Sequence, residues 1–309
     1  MANFVIINCC QKNIDYRHKK IIEMHKIFSD NLANKDKHLT TYLNLYSYML
    51  ARENKVLFKH FNILVDGIIF VWILKIFGFL RVKRRSFDMT SMAPEVFAEA
   101  ILHNESIYFI GTKPRIIDKA VENIKAEFPN LNICGYRDGY IKNSKEQEGV
   151  IAEIQELKTD IVICGMGTPL QEQFLLDLSK SGWKGTGYTC GGFLHQTADN
   201  LQYYPKWIDV LNLRGFYRMY DEPYLIKRYF VWYPWALVQY SFDSYRYNVY
   251  KRNKSIENAL KTADKAKEEM ASLNTDNHRI LTKARKERDL LLKEAREIKE
   301  NKLAEDKEK

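Results

Sequence analysis

Between residues 107 and 200 the chain repeats one pattern: a short apolar run, a turn rich in Gly, Asp or Thr, then an amphipathic stretch. The runs IYFIG (107–111), LNICGY (131–136), DIVICG (160–165) and GTGYTCG (185–191) are as short and apolar as strands buried on both faces. Helical periodicity follows each, near 115–128, 145–157, 170–179 and 193–200. Strands alternating with helices predict βαβ crossovers. The expected class is α/β, with a doubly wound, mainly parallel, Rossmann-like sheet inside a core spanning 37–200. An earlier run, Ile63-Leu64-Val65, stops at Asp66-Gly67 and predicts one more strand.

The flanks read differently. Residues 1–36 form a mixed, basic lead-in (Lys12, Arg17, Lys19, Lys20, Lys26). Residues 201–250 are aromatic and basic, with Trp207, Tyr217, Phe230, Trp232 and Trp235, and predict an α-helical appendage that faces a membrane. An aromatic helical subdomain packed wholly on the sheet is the alternative. From 251 to 309 about half the residues are charged, of both signs, with no Pro or Gly. This predicts a charged helical or partly disordered tail. Leu281, Ala284, Leu290, Leu291 and Ile298 give it a sparse apolar stripe suited to self-association.

Composition narrows the partners. Apolar residues make up 46% of the 309, enough for a real core, and the net charge of +9 predicts an anionic partner. Phosphate groups, acidic lipid and nucleic acid all qualify. The near balance of acidic and basic residues in the tail argues against a nucleic-acid arm, so no nucleic acid is expected. The five cysteines, Cys9, Cys10, Cys134, Cys164 and Cys190, lack metal-ligand spacing. Three lie in or beside predicted strands, where Cys behaves as a small hydrophobe, and a reducing cytosol is expected. The apolar stretch at 68–80, about 13 residues long and interrupted by Lys75, is too short to span a bilayer. The run at 4–7 is too short for the apolar core of a secretory signal.

Candidate chemistry gathers at strand ends. In DIVICGMGTPLQEQ a buried strand meets Gly165-Met166-Gly167-Thr168-Pro169, and a helix opens with Leu170-Gln171-Glu172. The free N–H groups of such a helix start suit an anion or a nucleotide's polar edge, and open α/β sheets bind ligands at this end. The plainer reading is a tight turn with polar helix-start residues. Gly111-Thr112-Lys113-Pro114-Arg115 is a second phosphate-cradle candidate, whose cations are otherwise ordinary surface charges. Neither loop matches GxxxxGK[ST] or GxGxxG, which weakens ATPase and dehydrogenase readings. Asp66 stands alone in an apolar run, where a carboxylate is costly unless paired, hydrated or functional. At a strand's mouth it is placed to take a proton from a substrate hydroxyl; an Asp-Gly turn needs no such role. His195 sits at a helix start within reach of a ribose or phosphate, or serves as an ordinary surface residue. No metal-ligand set is visible, so neither metal nor cofactor is expected.

Taken in order, these pieces resemble the WecG/TagA/CpsF glycosyltransferases, glycosyltransferase family 26. The matching elements are Asn44 in TTYLNLYSYMLA, Asp66-Gly67, Arg85-Ser86-Phe87-Asp88, Gly111, and Phe128-Pro129-x-Leu131-x-Ile133-x-Gly135 with Gly139-Tyr140. They continue with Gly165-x-Gly167-x-Pro169-x-Gln171-Glu172, Gly191-Gly192, Pro205-x-Trp207 and Tyr217-Arg218-x-Tyr220-x-Glu222-Pro223 with Arg228-Tyr229, so the resemblance covers roughly 38–230.

The resemblance implies transfer of a sugar from a UDP-sugar to a lipid-linked polyprenyl diphosphate acceptor, with inversion and without metal, in bacterial cell-surface polysaccharide synthesis. It implies a cytoplasmic enzyme, peripheral on the inner face of the cell membrane. Asp66 matches the proposed general base. Gly111, Tyr136, Gly165, Gln171 and Glu172 match positions lining the UDP-sugar crevice, with Thr41, Asn44, Thr112, Gly167, Gly191 and His195 beside them. Arg218 and Arg228 match cations thought to close over the diphosphate. The chain departs from the family at Leu194-His195, where Phe-Asp is usual, and at Tyr203-Tyr204-Pro205, where Arg-Ala-Pro is usual. Tyr42 replaces a threonine, with Thr41 adjacent, and the basic residue expected after Glu222-Pro223 is missing at Tyr224-Leu225. A non-catalytic nucleotide-binding or assembly protein of the same fold is the competing reading; release of UDP with a lipid-linked acceptor separates the two.

Overall fold

Alternation inside the apolar runs decides the layers. In a strand, successive side chains point to opposite faces. Ile107 and Phe109 therefore join one buried cluster with Ile161 and Ile163, while Tyr108 and Ile110 join another with Val162 and Cys164. Both faces need covering, and helices cover both.

The computed structural model describes residues 37–77, 82–201, 205, 207, 208, 211, 213–223 and 225–308. The basic lead-in at 1–36, with Cys9 and Cys10, lies outside the described residues, as do Tyr203, Tyr204 and Tyr224. Six strands, β1 (Leu39–Leu43), β2 (Asn62–Val65), β3 (Ser106–Gly111), β4 (Asn132–Arg137), β5 (Ile161–Gly165) and β6 (Thr186–Thr189), form one sheet in the order β2-β1-β6-β5-β3-β4. Every neighbouring pair is parallel, for example Thr41 beside Ile63 and Ile163 beside Tyr188. The α/β class with a parallel, doubly wound sheet is thus as the sequence pattern predicts. β1 was not singled out there as a strand.

One face carries α1 (Leu45–Glu53), α2 (Lys55–Phe58), α3 (Ile68–Ile76), α6 (Ser144–Glu156) and α7 (Leu170–Lys180). The other carries α4 (Met92–His103), α5 (Ile116–Glu127) and α8 (Phe193–Asp199). Local chemistry sets several starts. Asn44 caps α1 in a capping box with Ser47, and Asn143 caps α6 by accepting from the Glu146 amide. Beyond α8 come α9 (Arg214–Asp221), the short α10 (Leu225–Lys227), a π-helical turn (Arg228–Trp232) and a long α11 (Tyr233–Glu308). The described chain divides into two compact units between Tyr247 and Asn248, inside α11.

The first turns of α11 are tied into the α1–α3 layer. Tyr240 is fully buried and meets Tyr48, Phe70 and Phe77 edge-on, with ring centroids 5.2, 5.6 and 5.4 Å apart. Such pairs contribute roughly 0.5–1.5 kcal/mol each beyond their burial. Asp243, also fully buried, accepts from Arg52 Nε at 2.6 Å, Arg52 Nη2 at 3.0 Å and the Tyr48 hydroxyl at 3.1 Å. A bidentate guanidinium and a phenol satisfy that carboxylate, whereas losing it strands the guanidinium.

Asp243→Ala is therefore expected to lower unfolding stability by about 3 kcal/mol, the lower end for breaking a buried pair, because Arg52 keeps some solvent. Urea denaturation of the two proteins checks this. A loss within about 0.5 kcal/mol, the scale of ordinary surface substitutions, would mean the pair does not anchor α11.

Candidate active site

The connection leaving β5 runs to α7 on one face, while those leaving its neighbours β3 and β6 run to α5 and α8 on the other. Adjacent strands whose connections diverge leave a crevice beyond their carboxyl ends, where ligands of open α/β sheets sit. A cavity of about 650 Å³ occupies this place. Its walls come from Thr112 and Lys113 after β3, Gly139, Tyr140 and Ile141 after β4, Gly165 and Met166 after β5, and His195 in the first turn of α8. Asn143 and Gln147 of the α6 start and Leu170, Gln173 and Phe174 of α7 complete it. The lining mixes apolar and polar side chains, with Lys113 as a cation and no acidic group, and the volume lies within the usual range for small-molecule sites.

Close backbone approach builds the floor. A Cβ on Gly111, which has φ +151°, would lie 2.5 Å from the Gly165 carbonyl oxygen, so only glycine fits. This lets the Thr112 amide donate to that carbonyl at 3.2 Å and the Gly139 amide donate to the Thr112 carbonyl at 3.0 Å. Three strand ends are thereby locked around the cavity mouth.

A buried polar chain ties this floor to β1. Glu172, fully buried in the first turn of α7, accepts at Oε1 from the Thr41 hydroxyl (2.7 Å), Gln171 Nε2 (3.1 Å) and the Thr168 hydroxyl (3.2 Å). The Thr189 hydroxyl donates to Thr41 at 3.0 Å, and the Gly191 amide donates to Gln171 Oε1 at 3.3 Å. Glu172 Oε2 has no hydrogen-bond partner among the described residues. Burial raises the pKa of this carboxyl, against the pull of its three donors.

A second cluster lies at the ends of β1 and β2. The Asp66 amide donates to the Leu43 carbonyl at 2.9 Å, which seats the side chain directly beyond the sheet. Gly67, at φ +88°, then turns the chain into α3. Asp66 keeps 37% of its side-chain surface, so solvent or a ligand reaches it, yet protein surrounds the rest. Burial raises its pKa and neighbouring Asp88 adds to the rise; Arg84, with Nε 3.9 Å from Oδ1, and Arg218 and Arg214 oppose it. Asp88 is the contrast. Burial also works against its charge, but Arg84 (2.7 Å), Arg214 (3.0 Å) and the hydroxyls of Ser86 and Thr90 outweigh it and hold its carboxyl below the usual value. Two neighbouring aspartates are thus pushed apart, one anchoring arginines as a stable anion and the other biased toward taking up a proton.

The guanidinium groups are themselves positioned. Arg84 forms a one-residue parallel bridge with Val65 of β2. Arg218 pairs with Glu222 at 2.9 Å, and a Cβ on Gly192 would lie 3.7 Å from Arg218 Nη2, so this cation reaches the start of α8. Arg228 Nη2 donates to Asn44 Oδ1 at 3.1 Å, and its guanidinium lies 4.3 Å from the centre of the Tyr46 ring. Tyr229 and Tyr233 are close enough to Asp66 for its charge to help raise their pKa values, after burial.

The sequence-predicted residues therefore fall into two groups with a bridge. Thr112, Gly165 and His195 line the cavity, while Gly111 shapes its floor. Asp66, Asn44, Arg218 and Arg228 belong to the second cluster. Thr41, Gln171, Glu172 and Gly191 form the buried chain between them. Gly167 takes φ +80° in the turn before α7. Tyr136 is not among the cavity's lining residues: it lies on edge strand β4 with 42% of its surface exposed. Sequence reasoning missed Asn143, Gln147 and Gln173 in the wall and Arg214 beside Asp88. The Asn143 cap was the available signal for the first; nothing local marks Arg214, which lies 126 residues from its carboxylate.

Comparison with known proteins identifies the family. The model of the "Glycosyl transferase WecG/TagA/CpsF family" matches residues 13–254. The chain is 36% identical over 205 residues to a UDP-Gal:alpha-D-GlcNAc-diphosphoundecaprenol beta-1,4-galactosyltransferase of Shigella boydii, covering 65% of this chain and 85% of that protein. It is 31% identical over 134 residues to an N-acetylglucosaminyldiphosphoundecaprenol N-acetyl-beta-D-mannosaminyltransferase of Bacillus subtilis (strain 168), covering 43% of this chain and 51% of that one. A protein of the same description from Bacillus spizizenii is 26% identical over 162 residues, covering 52% and 61%. With a match that takes in the whole sheet and both clusters, the chain belongs to the WecG/TagA/CpsF family and is a glycosyltransferase.

Proposed function

We propose that this enzyme moves a sugar from a UDP-sugar to a lipid-linked diphosphate acceptor of the polyprenyl type, inverting the anomeric centre. The observation that carries the reading is the juxtaposition of a cavity lined by Lys113 and no acidic side chain with Asp66, an aspartate of raised pKa beside arginines. The cavity suits a nucleotide: aromatic Tyr140, amides Asn143 and Gln147, and the backbone at Thr112 and Gly165 offer stacking and hydrogen bonding. Relatives' names add support, pairing a UDP-Gal donor with a beta-1,4 product and naming diphosphoundecaprenol acceptors.

In this mechanism the acceptor hydroxyl lies against Asp66. The carboxylate takes the hydroxyl proton as the oxygen attacks the anomeric carbon, and the bond from that carbon to the diphosphate oxygen breaks. Negative charge then grows on departing UDP. Arg218, at the junction of the two groups, and Arg228 meet that charge, with Arg84 and Arg214 held nearby by Asp88. In this reading these cations supply the stabilisation that a metal provides elsewhere.

The acceptor's location accounts for a set of exposed apolar side chains along the appendage. Phe216, Tyr220, Phe230, Trp232, Trp235 and Val238 are all exposed, with Lys227 among them. Large apolar and aromatic side chains left in water beside cations suit the headgroup layer of an anionic bilayer. No helix among the described residues is long and apolar enough to cross a membrane. The appendage at 201–250 is thus the proposed membrane-facing lid, on the inner face of the cell membrane.

Asp66→Asn is expected to cut turnover by about 10²–10⁴-fold with UDP binding nearly unchanged. Because burial raises the wild-type pKa, the active, deprotonated form is lost as pH falls through a midpoint above the ordinary aspartate value of about 3.9. Steady-state kcat/KM against pH should show that acid limb, and the Asn variant should lack it. Near-normal turnover by the variant would remove Asp66 from the base role. Turnover should also persist in excess EDTA; loss on chelation with recovery on adding Mg²⁺ or Mn²⁺ would reveal a metal requirement. In flotation assays, binding to anionic vesicles should weaken as salt rises and fall further in a Trp232→Ser, Trp235→Ser double variant. Vesicle binding indifferent to both changes would move the membrane contact elsewhere.

A further inference from the structure

The family match ends at residue 254, yet α11 continues to Glu308. Every residue from Asn248 to Glu297 is exposed, including Ile256, Met270, Leu273 and Ile280, each at least half open to solvent. An isolated helix of this length has no core of its own. Its apolar positions, though, are ordered.

Counting in sevens with Ile256 at the first core position, a, puts Ala263, Met270, Asn277 and Ala284 at the same position in later heptads. The second core position, d, is then filled by Ala259, Ala266, Leu273 and Ile280. The run is unbroken through four heptads, about 40 Å of helix at 1.5 Å per residue, until Glu287 takes the next d position. Leu260 and Leu281, at position e, widen the stripe. A seven-residue repeat sustained this far is the pattern of a two-stranded, left-handed coiled coil.

From this we infer that residues 256–284 pair with the same segment of a second copy of the chain, parallel and in register. Asn277 identifies the occupant. It is the single polar residue in an otherwise apolar seam, and its amide carries both donor and acceptor. Facing an apolar partner, it would be desolvated without a hydrogen bond. Facing its own copy across a two-fold axis, it finds donor matched to acceptor, which happens only when both helices run parallel with Asn277 level with Asn277. One buried Asn at an a position sets register and favours two strands. Small alanines at Ala259, Ala263 and Ala266 let the two backbones approach closely at the end nearer the catalytic unit.

Sedimentation equilibrium of the full chain tests this. A mass twice the 36.5 kDa of one chain is expected in the micromolar range, and Leu273→Glu with Ile280→Glu should weaken dimerisation at least 100-fold. Both positions are exposed in the single chain, so the unfolding of the α/β unit should be unchanged. Leu273→Cys should form a disulfide between two copies on mild oxidation, read as a doubled band on a non-reducing gel; the unsubstituted chain controls for native cysteines. Monomer at every concentration, or a dimer indifferent to the two glutamates, would overturn the pairing. A dimer in which Leu273→Cys fails to cross-link would overturn the parallel register.

Discussion

The electrostatic tension at Asp66 organises everything around it. A carboxylate beyond the end of a buried strand loses much of its hydration, which favours the neutral acid. Guanidinium groups placed near it favour the anion. Had the arginines been free to close on Asp66, they would hold it ionised and make it a poor base. Instead Asp88 takes the shorter contacts: Arg84 lies 2.7 Å from Asp88 but 3.9 Å from Asp66, and Arg214 bonds Asp88 as well. Asp88 thus spends its own charge on holding cations at a working distance, and Asp66 keeps a raised proton affinity.

The sheet makes that arrangement rigid. Asp66 is set by a backbone bond to β1, and Arg84 by its bridge to β2. The Thr41–Glu172–Gln171–Gly191 chain carries the register of β1 through α7 to the start of α8, where Arg218 also reaches. On the cavity side Lys113 lines the wall, and helix starts and tightly apposed glycine turns add backbone donors.

Much of this was readable in the chain. β3 and β5 stand out because their residues face helices on both sides and so are continuously apolar. Asp66 stands out for the opposite reason, as the one acid in its run. β1 escaped because Thr40 and Thr41 make it look polar; they are buried, and the partner that satisfies Thr41 lies 131 residues away in Glu172. Arg214 and Asp88 meet only through the fold. Tyr136, which only the family resemblance singles out, lies on the edge strand β4 and outside the cavity lining. In α11, the absence of Gly or Pro after Pro234 made the tail's helicity readable.

The central claim is that neighbouring Asp66 and Asp88 carry opposite pKa shifts. Carbon-13 NMR of the side-chain carboxyls in aspartate-labelled protein, assigned with Asp66→Asn and Asp88→Asn, measures both during a pH titration. The account predicts a midpoint for Asp66 above that of a free aspartate and one for Asp88 below it. An Asp66 that titrates at or below the free value, or an order reversed between the two, would contradict it.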